Sequence, residues 1–292
     1  MELVSATKMR KSQQIALDSR PYAFAALDLL ASVSLMETEL PDLLKPRRNI
    51  KKVLFVLISS DKGLAGAFNS SIFKKFEAHL KIEKAEWKKE EHIYLTVGEK
   101  SFNYLSKKGF KVAKKFVQVG DYTTLEQVEP MVNFIVDGYL AKKWDRVIVI
   151  STHFRSALKQ EPHIRRILPI DFDHMADTIT EIIPERGKFA DLIKEHHISF
   201  VPDKNKMKDY LIEPSAMKVL EKLARHLFFI QFYHLILEAN ASEHSARRLA
   251  MKTASDNASD LGEALNLEYN KSRQARITTE ITEISAGAEA LS

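Results

Sequence analysis

The chain has 292 residues, 45% of them hydrophobic and 28% charged, which suits one or two globular units with an ample core. It has no cysteine, so disulfides and thiolate metal sites are excluded, and a reducing compartment fits. The net charge of +5 raises the question of nucleic acid. The basic runs at Arg47, Arg48, Lys51 and Lys52, at Lys84, Lys88 and Lys89, and at Lys107, Lys108, Lys111, Lys114 and Lys115 are mostly interleaved with glutamate. No nucleic-acid motif accompanies them, so they read as solvated helix faces or contacts for acidic protein partners. The longest purely apolar run near the front, 53–58, is far short of a membrane span. Behind Lys8, Arg10 and Lys11 the sequence is mixed and polar, unlike a signal peptide.

Residues 1 to about 40 read as a helix, with Phe24, Leu27, Leu30, Ala31 and Leu35 on an apolar face and a kink expected at Pro21. From 49 to 156 strand and helix signals alternate. The runs 53–58, 93–97 and 147–150 have the continuous apolar character of strands buried on both faces, and helical patterns lie at 69–81, 99–108 and 125–140. This alternation predicts a mostly parallel sheet with helices packed on it. The segment Asp61-Lys62-Gly63-Leu64-Ala65-Gly66-Ala67-Phe68-Asn69 follows a strand and opens a helix, where phosphate loops sit in α/β units. It matches neither phosphate-loop pattern, so a structural turn is favoured over a nucleotide site.

Residues 157–213 carry weaker signals: strands at 164–170 and 198–201, and short helices at 178–183 and 189–196. Asp171, Asp173, His174, His196 and His197 have ligand chemistry, yet no spacing among them closes a metal site.

From Pro214 to the C-terminus no further proline occurs, which predicts one helix of roughly 70 residues, or about 105 Å. Ala216, Leu220, Leu223, Leu227, Ile230, His234, Leu237 and Ala241 recur at coiled-coil spacing, as do Leu267, Asn270, Gln274, Ile277, Ile281, Ile284, Ala288 and Leu291. Between the two seams Ala246, Ala250, Thr253, Ala254 and Ala258 allow close approach. So long a helix must project, and its seam needs a partner; the N-terminal helix, antiparallel, is the natural one. The segment 8–15 is expected beside 246–261. The tip, 277–291, is expected to be helical only inside a partner.

The run Ala241-Ser242-Glu243-His244-Ser245-Ala246-Arg247-Arg248-Leu249-Ala250-Met251-Lys252-Thr253-Ala254-Ser255-Asp256-Asn257-Ala258 and the later run from Tyr269 to Ile281 resemble the C-terminal signature of the gamma subunit of F-type ATP synthases. Ser5-Ala6-Thr7-Lys8-Met9-Arg10-Lys11, the 61–69 segment and Tyr210-Leu211-Ile212-Glu213-Pro214 agree in order, so the resemblance spans almost the whole chain.

It implies a long antiparallel coiled coil at 1–45 and 214–292 and a central α/β domain at 49–213. Such a protein is the rotor shaft of a proton-translocating ATP synthase, a non-catalytic subunit without a cofactor. The shaft turns inside a ring of alpha and beta subunits, and its foot meets the epsilon subunit and the membrane c-ring. It would be a peripheral protein on the cytoplasmic face of a bacterial plasma membrane, attached through partners only. Arg247 and Gln274 match positions that hydrogen-bond a beta subunit, Thr278 and Glu283 match other polar positions of that helix, and Tyr210 and Glu213 match the foot. Met1 aligns inside the family's first helix, so about two dozen residues, ~36 Å of helix, have no counterpart here: either the start is misassigned or the tip is a single helix. Ala65 replaces a usual cysteine, Arg276 stands where a small polar residue is common, and 171–206 is longer than usual. A static coiled-coil scaffold and a nucleotide-binding α/β enzyme with a helical arm are the rival readings.

Overall fold

A computed structural model describes residues 1–18, 22, 25–26, 29–30, 33, 39–86, 90–119, 122–171 and 212–289. Helix α1 covers Glu2–Asp18. It is followed by β1 (Lys52–Ile58), α2 (Phe68–Glu86), β2 (Glu91–Val97), α3 (Glu99–Lys107), β3 (Val112–Phe116), α4 (Leu125–Leu140), β4 (Arg146–Phe154), β5 (Gln160–Leu168) and α5 (Ala216–Glu289). The sheet order is β3-β2-β1-β4-β5, parallel throughout except for the antiparallel β4–β5 pair.

Strand alternation divides two cores. Leu54, Val56 and Ile58 of β1, with Val147 and Val149 of β4, face α4 and the first part of α5. Val53, Phe55 and Leu57, with Ile148 and Ile150, face Ile72, Phe76 and Leu80 of α2 and Leu105 of α3. A strand buried on both faces reads as an unbroken apolar run, which is why these strands were visible in the sequence. The edges were not. Strand β3 reads as a lysine run because its exposed Lys114 lies at a sheet border, where charge prevents further pairing. Strand β5 begins earlier than the expected 164–170 and runs antiparallel, with Pro162 tolerated on an edge. The expected elements at 178–183, 189–196 and 198–201 lie outside the described residues, as do Pro21, Phe24, Leu27, Ala31, Leu35, Asp173, His174, His196 and His197. Ala26, Leu30 and Val33 are helical and buried in the first core.

The basic runs are largely structural. The Arg47 guanidinium lies 4.0 Å over the Tyr139 ring and donates to Tyr139 O, Trp144 O and the Asp145 carboxylate. Asp145 also accepts the Lys51 and Lys52 amides. Lys108 pairs with Glu77 and Lys115 with Glu99. Asp171 pairs with Arg166 at 3.0 Å.

Helix α5 has 74 residues, about 110 Å at 1.5 Å per residue. It does two things in succession. From Leu227 to Ser242 every residue is buried except the half-buried Phe229 and Asn240, so this part is a core helix enclosed on all sides rather than a two-helix seam. From Lys252 to Ala288 every residue except Gly262 is exposed, and this part projects. The expectation that 277–291 would lack helix unless sleeved differs from the structure, in which helix continues to Glu289. Extending an existing helix requires no new nucleus.

Helix α1 lies antiparallel to α5. Glu2 pairs with Arg248 at 3.5 Å and Tyr22 bonds His226 at 2.7 Å. These two points place 8–15 beside α5 residues between His226 and Arg248, not beside 246–261. The register was misjudged because the small residues of α5 were assigned to α1. They face the β1–α2 loop instead: a Cβ on Gly66 would lie 3.7 Å from Ala250 Cβ. In this cysteine-free chain, a short bis-maleimide should join cysteines placed at Glu2 and Arg248. It should fail to join cysteines at Glu2 and Leu261, read as a mobility shift on denaturing gels.

Candidate functional site

In a doubly wound sheet, ligands bind beyond the carboxyl ends of the strands where the strand order reverses, here between β1 and β4. There the protein leaves a cavity of about 580 Å³ between the sheet and α5. Gly66, Ala67, Phe68, Ser71, Thr152 and Gln160 form one wall, and Ala246, Leu249, Ala250, Thr253, Ala254 and Asn257 of α5 form the other. No lysine or arginine lines it.

The 61–69 loop is a structural turn. Asp61 accepts the Glu99 and Gln118 amides, binding the ends of three strands together. Asn69 Oδ1 accepts the Ser60 amide, and Asn69 Nδ2 donates to Ser60 Oγ. Gly98, at φ +98°, lets β2 turn against Ser59, where a Cβ would meet Ser59 O at 2.1 Å.

The predicted site residues are not brought together. Arg247 sits beside that loop, donating to Gly63 O at 3.3 Å and to Glu243 at 2.6 Å. Gln274, Thr278 and Glu283 lie on the exposed part of α5, about 40 Å further along for Gln274. Thr278 Oγ1 donates to Gln274 O at 2.9 Å, so its hydroxyl is turned onto its own helix. Glu283 stands nine residues from Gln274, two and a half turns, and so on the opposite face. Glu213 is exposed just before α5, at the other extremity of the molecule. Tyr210 lies outside the described residues. His226 bonds Tyr22, and the seam residue His234 lies buried.

Sequence reasoning missed the polar ties that hold α5 to the α/β unit. Tyr233 donates to Thr123 O at 3.0 Å, Asn240 to Thr123 Oγ1 at 2.8 Å and Ser245 to Ala157 O at 2.7 Å. Arg225 pairs with Asp137 of α4 at 2.9 Å. The charged tie is Glu238, 3% exposed, whose carboxylate bonds His153 Nδ1, the Phe154 amide at 3.3 Å and Arg165 Nη1 at 3.4 Å. The available signal was composition: Glu238 is the sole formally charged residue between Leu227 and Ala241.

Burial pushes the Glu238 carboxyl up, but the His153 hydrogen bond, the Arg165 charge and the Phe154 N–H outweigh it and hold it below the ordinary 4.5. A carboxyl lowered in the folded state contributes stability that is complete above its unfolded value and lost as pH falls through the folded one. Glu238→Gln should therefore destabilise the chain by about 2 kcal/mol near neutrality. The gap to the parent should close as pH falls below about 4.5, measured by urea unfolding across a pH series.

Helix α5 is thus clamped in the α/β unit at its root and bare over its far half. The family model described as "ATP synthase" matches residues 1–291. The ATP synthase gamma chain of Amoebophilus asiaticus is 36% identical, over 100% of this chain and 92% of that one. That of Roseiflexus castenholzii is 33% identical, over 100% and 91%. The chain belongs to the ATP synthase gamma-chain family. The fold agrees with the central stalk of the Tetrahymena thermophila mitochondrial ATP synthase, with TM-score 0.58, 20% identity, and 87% of this chain and 97% of that chain covered. It also agrees with a chain of the Euglena gracilis mitochondrial enzyme, with TM-score 0.53, 16% identity, and 99% and 94% covered.

Proposed function

We propose that the exposed part of α5 turns inside a sleeve of alternating alpha and beta subunits. In this reading 1–45 and 214–292 form the shaft, and 49–213 is the foot that meets the epsilon subunit and the membrane c-ring. The observation that carries it is the 37-residue stretch from Lys252 to Ala288, about 55 Å of helix, exposed at all but Gly262. Ile277, Ile281 and Ile284 are 47%, 59% and 73% exposed there, an apolar stripe that favours a covering partner. Arg247, Gln274, Thr278 and Glu283 are the polar contacts to that ring. Tyr210 and Glu213 are contacts to the foot's partners. Glu213 and Glu283 stand 70 residues apart, about 100 Å along the helix, so no single subunit of ordinary size serves both.

The chain acts as a non-catalytic subunit. Supporting this, the crevice where an α/β enzyme would hold its ligand is walled by the alanines of α5. Among the described residues no helix is long and apolar enough to cross a membrane, so attachment runs through the c-ring. The bacterial relatives favour the cytoplasmic face of the plasma membrane.

Replacing Ile281 and Ile284 with Ser should weaken assembly with the alpha and beta subunits while leaving the thermal melting of the α/β unit unchanged. Unimpaired assembly and coupled ATP hydrolysis in that variant would count against the sleeve. Titration of the isolated chain with ATP and ADP should give no heat of binding at micromolar concentrations, and saturable micromolar binding would revive the enzyme reading.

A further inference from the structure

A shaft transmits torque only if it cannot roll within its mounting, and α5 is enclosed in a way that leaves this to be solved. Helices on a protein surface are held in rotation by the contrast between an apolar and a polar face. Between Leu227 and Ser242 that contrast is missing, since apolar residues are buried all round the helix. At 100° per residue the buried Leu227, Phe228, Ile230, Phe232, Tyr233 and Ile236 spread round the helix axis. Within this stretch the buried polar residues Gln231, His234, Glu238 and Ser242 recur at three, four and four. They form one polar stripe on an otherwise apolar cylinder.

We propose that Glu238 is the rotational lock of the shaft, fixing the angle of α5 against the sheet so that torque passes between the α/β unit and the projecting helix. This rests on the rotor-shaft reading. Three donors from two adjacent strands converge on one carboxylate: His153 and the Phe154 amide on β4, and Arg165 on β5. His153 and Glu238 are 5% and 3% exposed. The His153 ring lies 5.0 Å from that of His163 on the neighbouring strand, the two planes tilted by 37°. Rolling α5 by one residue turns it 100° and carries the carboxylate away from all three donors into apolar surroundings. An ion stripped of its partners in a core is penalised by a factor on the order of a hundred or more. Apolar contacts along the same helix distinguish its angles far less, because one large side chain replaces another. Buried ionic groups often add little net stability, and setting register is their best-attested use.

The test uses the assembled complex. Cysteines at the exposed positions Lys111, beside β3, and Asp256, on the projecting helix, carry spin labels in a chain with no other cysteine. The distance between them reports the angle of the shaft on its mounting. The wild-type background should give one narrow distance distribution. Two variants are compared: Glu238→Gln, which keeps the shape, and the apolar combination His153→Leu, Arg165→Met and Glu238→Leu, which keeps the packing. Each should raise the population of a second distance about tenfold or more, the equivalent of losing roughly 1.4 kcal/mol from a charge-assisted bond. Ions transported per ATP hydrolysed should fall, while unloaded hydrolysis persists. The neutral ties of Tyr233, Asn240 and Ser245 remain in both, so a second population is expected rather than free rotation.

A single unchanged distance with full coupling in both variants overturns the proposal. So does a lower melting temperature with an unchanged distance, which would make the cluster a stability element alone. If the apolar combination does not fold, Glu238→Gln decides by itself. Failure of the rotor reading is a separate outcome: the wild-type complex would then show no ATP-driven advance of the shaft.

Discussion

Everything in this molecule depends on one helix being a core element for its first half and a bare rod for its second. The packing of Leu220, Ala224, Leu227, Phe228, Phe232, Leu235 and Ile236 into the sheet's first core supplies the burial that fixes α5. Once that segment is helical, each following residue adds one hydrogen bond without the cost of a new nucleus. The projecting sequence favours the extension with alanine, leucine, glutamate and arginine and with the Arg276–Glu280 pair. Thr278, Thr279 and Thr282 direct their hydroxyls to carbonyls one turn back, which keeps them on the helix surface at a slight cost to the helix. A free rod of this length would be marginal in water, whereas a rod grown from a core has its root already paid for.

The same helix determines what the α/β unit cannot do. A doubly wound sheet offers a crevice at its switch point, and α5 passes through it. Passage requires that the β1–α2 loop and the helix approach to alanine distance, hence Gly66 at φ +54° against Ala246 and Ala250. The loop is in turn held by Asp61 across three strand ends, so its rigidity serves the bearing of the helix.

How much was legible follows from the same physics. Strands buried on both faces have unbroken apolar runs, so β1, β2 and β4 were read close to their true positions, and α4 was read at its true ends. Edge strands carry the signature of their border, lysines on β3 and Pro162 on β5, and these imitate loops or charge runs. The direction of α1 was readable and its register was not. Small residues announce close approach without naming the neighbour, and Ala246 and Ala250 belonged to the loop. Arg247, Gln274, Thr278 and Glu283 came from family resemblance, and no contact within the chain would have selected the last three, whose side chains are exposed. Glu238 was the reverse case: it has no motif, but it is a single charge in an apolar stretch, and such a residue in a core demands partners.

The two halves of α5 therefore differ in how they hold what they touch. At the root the contacts are buried, directional and charged, and exchanging them would strand an ion in the core. Along the tip the polar groups are either turned onto the helix, as Thr278 is, or free in solvent, as Glu283 is, and the apolar side chains are spread over an open stripe. The polar contacts of such a surface are lost and remade at little cost, because water can replace each of them during the exchange. A shaft needs this asymmetry. Firm directional contacts at both ends would stall it against its sleeve, and slippery contacts at both ends would let it spin without moving its foot.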